Sequence, residues 1–300
     1  MTIRFVPYKD IDHQKWDECV ACSYNGLIYC TTEYLDAMAA NWDAVILNDY
    51  EAVMPLTWKK KILIKYLYQP AFFQQGGIIS TTEITEDMVL LFLETAFANF
   101  SFAEITLNFN NPISEDNPYF KGRRNNFIFE LKENVTADLD DYILKRVRRA
   151  SKNEVSYQRH ENIPEIISLY KTLYHKRLPG FKEEDFSRFE NYCEKNKNKL
   201  FIRKVVCRNE MVAAVLLLKD NKRLYNIISC ILPEGKTLLA NYFLYYELIN
   251  EFQGTNMILD FEGSDQHGIA YFYNKFATEN QTYPFIKMNR LPAPLQLVKR

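Results

Sequence analysis

Two stretches of the chain place apolar and polar positions in the same order. In the later stretch, Lys199 to Cys207 reads as a strand and Met211 to Lys219 as an apolar return strand. Arg208-Asn209-Glu210 is the tight turn between them, because Asn tolerates positive φ. Arg223 to Cys230 is a third strand. The loop Leu232 to Thr237 leads into a helix from Leu238 to about Phe252, with Leu239, Tyr242, Phe243, Tyr246 and Ile249 at helical spacing. A strand over Asn256 to Phe261, a short helix over Gly268 to Phe276 and a strand over Tyr283 to Met288 complete it.

The earlier stretch repeats the pattern. Ala44 to Leu47, the turn Asn48-Asp49 and Ala52 to Trp58 form a hairpin, and Leu63 to Tyr68 a further strand. The loop Pro70 to Gly77 and a helix from Asp87 to Asn99 follow, then strands over Glu104 to Asn108 and Asn126 to Leu131. Helices precede both hairpins, at Gln14 to Ala21 and Thr32 to Ala39, and at Pro164 to Arg177 and Glu183 to Asn198. Matched order at this length predicts a duplication, with domains at 1–135 and 136–300. A basic helix over Leu139 to Ser151 opens the second domain.

Composition narrows the class. Hydrophobic residues make up 47% and charged residues 25%, the balance of a folded globular chain. The formal net charge of −1 provides no bulk attraction to nucleic acid or anionic lipid, so such binding needs a local patch. No apolar run approaches the roughly 20 residues of a membrane span, and Met1 to Asp10 lacks a signal-peptide pattern. A cytoplasmic location is the expectation. Cys19-Val-Ala-Cys22 has the spacing of a metal or redox pair, but no second pair and no clustered His complete four ligands. No metal is expected.

The order hairpin, strand, glycine-containing loop, helix, strand, short helix, strand resembles the GNAT (acyl-CoA N-acyltransferase) fold. The tandem arrangement resembles the FemAB-like branch of that superfamily. Three segments carry the likeness: Arg123 to Leu131 followed by Leu144 to Lys152; the strand end Leu259-Asp260-Phe261-Glu262-Gly263-Ser264; and Gly268 to Phe276, with its Tyr-x-x-x-aromatic pattern. The loop Leu232 to Thr237 departs from the family in holding one glycine, Gly235. Pro164 to Asn198 has room for two ordinary helices and not for the long helical hairpin of the peptidoglycan-building members. The resemblance implies an α/β protein of two tandem GNAT-like domains, each a mixed, mostly antiparallel sheet flanked by helices. It also implies an acyltransferase that moves an acyl group from an acyl-CoA co-substrate to a small-molecule or peptide amine. Two alternatives stay open: aminoacyl-tRNA-dependent transfer to a cell-wall precursor, and a non-catalytic binding module.

Acyl transfer to an amine needs a phosphate anchor, an oxyanion donor, a base and an acid. Gly235-Lys236-Thr237, at a helix start, is the candidate anchor or else a plain cap. Asp260, Glu262 and His267 gather base candidates, with Asp260 and Glu262 on one strand face, or else form a polar loop with Asp265 as a helix cap. Tyr273 matches the position assigned as general acid in the resembled fold, or else is a core tyrosine. Arg123, Arg124, Arg146 and Arg149 are candidates for gripping phosphates of a nucleotide-linked substrate or tRNA. They are otherwise a solvated face paired with Asp138, Asp140 and Asp141. The first copy's loop Gln74-Gln75-Gly76-Gly77 is followed by acidic residues and is not expected to bind the donor.

Overall fold

The computed structural model describes residues 2–137, 139–178, 180–263 and 266–292, which leaves Asp138, Ser264 and Asp265 outside the described residues. The chain divides into two compact units, Met1–Arg124 with Thr282–Arg300, and Asn125–Gln281. Both differ from the expected division at 135, and the reason lies in how the strands pair.

The first unit runs β1 (Ile3–Val6), α1 (His13–Cys22), α2 (Thr32–Met38), β2 (Trp42–Leu47), β3 (Ala52–Lys61), β4 (Ile64–Leu67), β5 (Ile79–Ser80), α3 (Glu86–Phe97), β6 (Phe102–Thr106) and β7 (Phe120–Arg124). Its helices start where short polar side chains cap them. Asp12 accepts from the Gln14 and Lys15 amides, Thr31 from Tyr34, and Thr85 from Met88. On α3 the buried face is Val89, Phe92, Leu93, Ala96 and Phe97, and it packs on Val45, Met54 and Ile105 of the sheet.

The second unit runs β8 (Phe127–Glu130), α4 (Asp141–Ser151), β9 (Val155–His160), α5 (Ile163–Tyr174), α6 (Glu183–Lys195), β10 (Leu200–Cys207), β11 (Glu210–Lys219) and β12 (Arg223–Ile231). It continues with α7 (Pro233–Thr237), α8 (Ala240–Phe252), β13 (Ile258–Asp260), α9 (His267–Phe276) and β14 (Glu279–Asn280). One further strand, β15 (Tyr283–Asn289), belongs to the first unit's sheet.

The two sheets share one plan. The first is ordered β1-β2-β3-β4-β6-β15-β7, with β5 also on β3; the second, from the opposite end, is β9-β10-β11-β12-β13-β8-β14. In each, two helices join the first and second strands, and one parallel pair, β4·β6 or β12·β13, stands among antiparallel neighbours. The hairpin turns are those the sequence predicts: Asn48 has φ 48°, and Arg208 and Asn209 have φ 50° and 68°.

The terminal strands are exchanged. β8 follows β7 after Asn125 and Asn126 yet pairs with β13 and β14 of the second sheet. β15 follows β14 yet inserts between β6 and β7 of the first. The strand expected to close the first copy therefore closes the second, and the strand expected to close the second closes the first. Among the described residues no helix is long and apolar enough to cross a membrane. All six cysteines carry free thiols; Cys22 of the Cys-x-x-Cys pair is exposed and Cys19 buried.

Candidate functional site

The parallel pair of the second unit opens a wedge. β13 pairs with β12 only at Arg223, Tyr225 and the residue between, and β12 then continues to Ile231 paired with β11 but not with β13. At the end of β13 the chain turns aside through Glu262 and Gly263, both left-handed at φ 62° and 48°. Gly263 suits this bend because a Cβ there would meet the Asn125 carbonyl oxygen at 1.9 Å. A bulge on β12 at Asn226 and Ile227, opposite Leu217, re-aims the strand where the wedge begins. The result is a cavity of about 590 Å³ lined by β12, the β13–α9 turn, α8, α9 and α5.

Four polar side chains form one hydrogen-bonded network in it. Asn226 donates through Nδ2 to the Tyr245 hydroxyl (2.8 Å) and the Tyr273 hydroxyl (3.2 Å). Tyr245 donates to Ser229 Oγ at 3.1 Å and lies 3.3 Å from the Tyr273 hydroxyl. With the Tyr245 proton turned to Ser229, Tyr273 can donate to Tyr245 or into the cavity. Burial raises the pKa of Tyr273 above the ordinary phenol value, and nearby Glu262 adds to the shift. Phe261 stacks on the Tyr273 ring at 4.9 Å and fixes its plane.

Glu262 is the one acid among the described lining residues, and Lys236 the one cation. Glu262 Oε1 is buried with no hydrogen-bond partner, as is Asn226 Oδ1. Desolvation pushes the Glu262 carboxyl up to about 8. Both atoms are acceptors without a protein donor among the described residues, a pair suited to a ligand that brings N–H groups.

The remaining candidates sit elsewhere. Asp260 is buried and accepts from Arg223 Nη1 (2.9 Å), Asn126 Nδ2 (3.2 Å) and the Glu262 amide (3.0 Å). It does not share a strand face with Glu262, because β13 ends at Asp260. His267 opens α9 and is exposed; it is not among the lining residues, although Gln266 and Gly268 on either side of it are. Gly235 is buried inside the short helix α7. Its missing Cβ accommodates the Val212 carbonyl, which a side chain would meet at 2.1 Å, so its smallness serves packing on β11. Thr237 ends α7 rather than capping a helix start, and its hydroxyl donates to the Pro233 carbonyl. The long helix opens at Ala240, after a left-handed Leu239 (φ 58°).

Arg123 and Arg124 are exposed on β7 of the first unit, with Arg124 over the Phe285 ring at 4.6 Å. Arg146 and Arg149 belong to α4 of the second unit. Arg146 lies 3.2 Å over the Tyr142 ring, and Arg149 is solvated near the helix end. Asp140 caps α4 by accepting from the Tyr142 amide.

Sequence reasoning missed Asn226, Ser229 and Tyr245. Asn226 carried a readable signal, a polar amide between Tyr225 and Ile227 on a strand that is mostly buried. In the first unit the matching strand is broken into β4 and β5 by the loop 68–78. Buried Asn25, Asn108 and Asn111 bond to that segment and to one another.

Comparison with known proteins places this fold. No protein-family model and no curated protein matches the chain. Among solved structures it is similar to FemX, at 14% identity and TM-score 0.65, with all of both chains covered. It is also similar to a protein of unknown function from Bacteroides thetaiotaomicron, at 10% identity and TM-score 0.61, with 95% of this chain and 100% of that one covered. A tandem GNAT protein from the clavulanic acid biosynthesis pathway matches at 9% identity and TM-score 0.55, over 97% and 100%. The fold is the FemAB-like, tandem GNAT fold: α/β, with two mixed, mostly antiparallel sheets flanked by helices.

Proposed function

We propose that the second unit is an acyltransferase site that joins an acyl group to a primary amine. The observation that carries this reading is the Glu262 carboxyl, whose Oε1 is buried without a hydrogen-bond partner, in the cavity between β12 and β13 that Tyr273 also lines. Glu262 accepts the proton of the attacking nitrogen, and Asn226 Oδ1 accepts a second N–H and orients it. The new bond joins that nitrogen to the carbonyl carbon, and the bond from carbon to the leaving atom breaks. Tyr273 gives its proton to the leaving atom, and a water returns the proton from Glu262 to Tyr273 between turnovers. Asp260 is a positioning residue: its ion pair with Arg223 holds the strand end from which Glu262 projects.

The donor we favour is an acyl-CoA. Lys236 at the cavity wall supplies a positive charge for a phosphate-bearing carrier, and the rings of Tyr170, Tyr174 and Phe272 supply an apolar wall for an acyl chain. The test is release of free thiol from a series of acyl-CoAs with a panel of amines. Turnover is expected, falling about 10²–10⁴-fold in Glu262→Gln and Tyr273→Phe. Absence of heat and of any thermal shift with every acyl-CoA removes this donor. Deacylation of charged tRNA in its place directs the reading to an aminoacyl ester.

A further inference from the structure

The tip of the β3–β4 hairpin in the first unit points two large aliphatic side chains into solvent. Ile62 is 87% exposed and Leu63 83%. Isolated apolar residues on a surface need no explanation, but these two are adjacent and form the whole of a two-residue turn. The turn is also held against backbone preference. Ile62 has φ 58°, in the left-handed region that a β-branched residue enters only under strain. The first position of such a turn is one that Gly or Asn fills readily. A bulky aliphatic residue stands where the backbone favours glycine.

The flanks are basic. Lys59, Lys60, Lys61 and Lys65 surround the tip, and no acidic residue occurs between Glu51 and Glu83. Lys60 lies directly across the ladder from Lys65, an arrangement of like charges that weakens a sheet. None of the four lysines forms a salt bridge among the described residues. Two of them meet rings: Lys59 Nζ lies 4.1 Å over Tyr68, and Lys65 Nζ 4.5 Å over Trp58. Strand alternation puts Lys59, Lys61 and Tyr66 on one face, and Trp58, Lys60 and Lys65 on the other. From the summit downward, both faces therefore read apolar, then cationic, then aromatic, within roughly 10–15 Å.

An anionic bilayer offers a partner to each part: an acyl boundary to the tip, and at the headgroup level phosphates for the lysines, where the aromatic rings beneath them also settle. A nucleic acid matches the lysines but offers nothing to Ile62 and Leu63. We infer that the β3–β4 hairpin docks this protein on an anionic bilayer surface, with Ile62 and Leu63 entering the acyl boundary and the four lysines on lipid phosphates. The contact is peripheral and reversible, because two side chains bury little area and the lysine contribution is screened by salt.

The test uses the full-length protein and vesicles of phosphatidylcholine alone or mixed with phosphatidylglycerol, read by co-sedimentation. The protein is expected to pellet with the mixed vesicles, less so as sodium chloride is raised, and not with the neutral ones. The double variant Ile62→Gly with Leu63→Ser is expected to lose about tenfold or more in partitioning. Its fold is preserved because glycine suits the turn, which unchanged tryptophan emission checks. Lys60→Glu with Lys65→Glu is expected to lose about tenfold or more as well. Equal binding to both vesicle types, binding to neither, or indifference to both double variants overturns the inference. So does lipid-free dimerisation that the tip variant abolishes, which assigns the patch to a second copy of the chain.

Discussion

Glu262 carries the clearest pH signature in the molecule. Its carboxyl is raised from 4.5 to about 8 by desolvation, so the folded protein holds a proton there that the unfolded chain has released. The stability associated with the protonated form is complete below about 4.5 and is lost as pH rises through about 8. Chemical denaturation across that window is expected to show stability falling with pH in the wild type and a flatter profile in Glu262→Gln. The rate of acyl transfer is expected to move the other way, rising as the carboxyl ionises near pH 8. Gly235 makes a purely structural prediction. A methyl group there meets the Val212 carbonyl oxygen at 2.1 Å, so Gly235→Ala is expected to destabilise the second unit by about 1–3 kcal/mol in a denaturant titration. Three of the lining residues were singled out in the sequence, Glu262 and Lys236 by residue type and Tyr273 by resemblance. What could not be read was which carboxylate stays unpaired. Asp260 and Glu262 look alike in sequence, and only the fold sets Arg223 against the first and leaves the second alone.

At the scale of elements, the hairpins were legible because apolar strands flank turn residues with a known reason to be there. Arg208 and Asn209 both hold positive φ, and an Asn-Gly pair fits that turn better than the native pair. Changing Arg208→Asn with Asn209→Gly is expected to raise the melting temperature, through a gain of about 0.5–1 kcal/mol. Strands β1, β7 and β9 were not legible. β7 and β9 lie at sheet edges and bury no complete side chain, so neither presents an apolar alternation to find. The α7–α8 region was read as one loop and one helix for a similar reason. The break depends on a left-handed Leu239, a residue type that does not advertise such a backbone. The predicted face residues Tyr242, Phe243 and Ile249 are buried and Tyr246 packs against the same core, but α8 is buried over a wider arc that also takes in Tyr245, a member of the cavity network.

At the scale of the whole chain, the duplication was visible but the exchange of terminal strands was not. Periodicity reports that a segment pairs, not with which sheet. Asn126 to Leu131 and Tyr283 to Met288 each read as a closing strand of the half that precedes them, and each closes the other sheet instead. The consequence is an asymmetry between the two units. Asn125–Gln281 is contiguous and contains every strand of its own sheet, from β8 to β14. The first unit depends on β15, which buries Tyr283, Ile286 and Met288 between β6 and β7. Ending the chain after Gln281 leaves β6 and β7 without the strand they share and opens the core around Ile105 and Phe97. The loss of Ile286 and Met288 alone amounts to about 3–5 kcal/mol of burial, a large part of a domain's net stability. All three tryptophans, Trp16, Trp42 and Trp58, lie in the first unit, so their emission reports that unit alone. The shortened chain is expected to show red-shifted tryptophan emission, while the isolated 125–281 fragment, which has no tryptophan, is expected to keep a cooperative unfolding transition by circular dichroism. A shortened chain with native emission would mean that β7 can pair with β6 directly, and that the exchanged strand is dispensable to the sheet it completes.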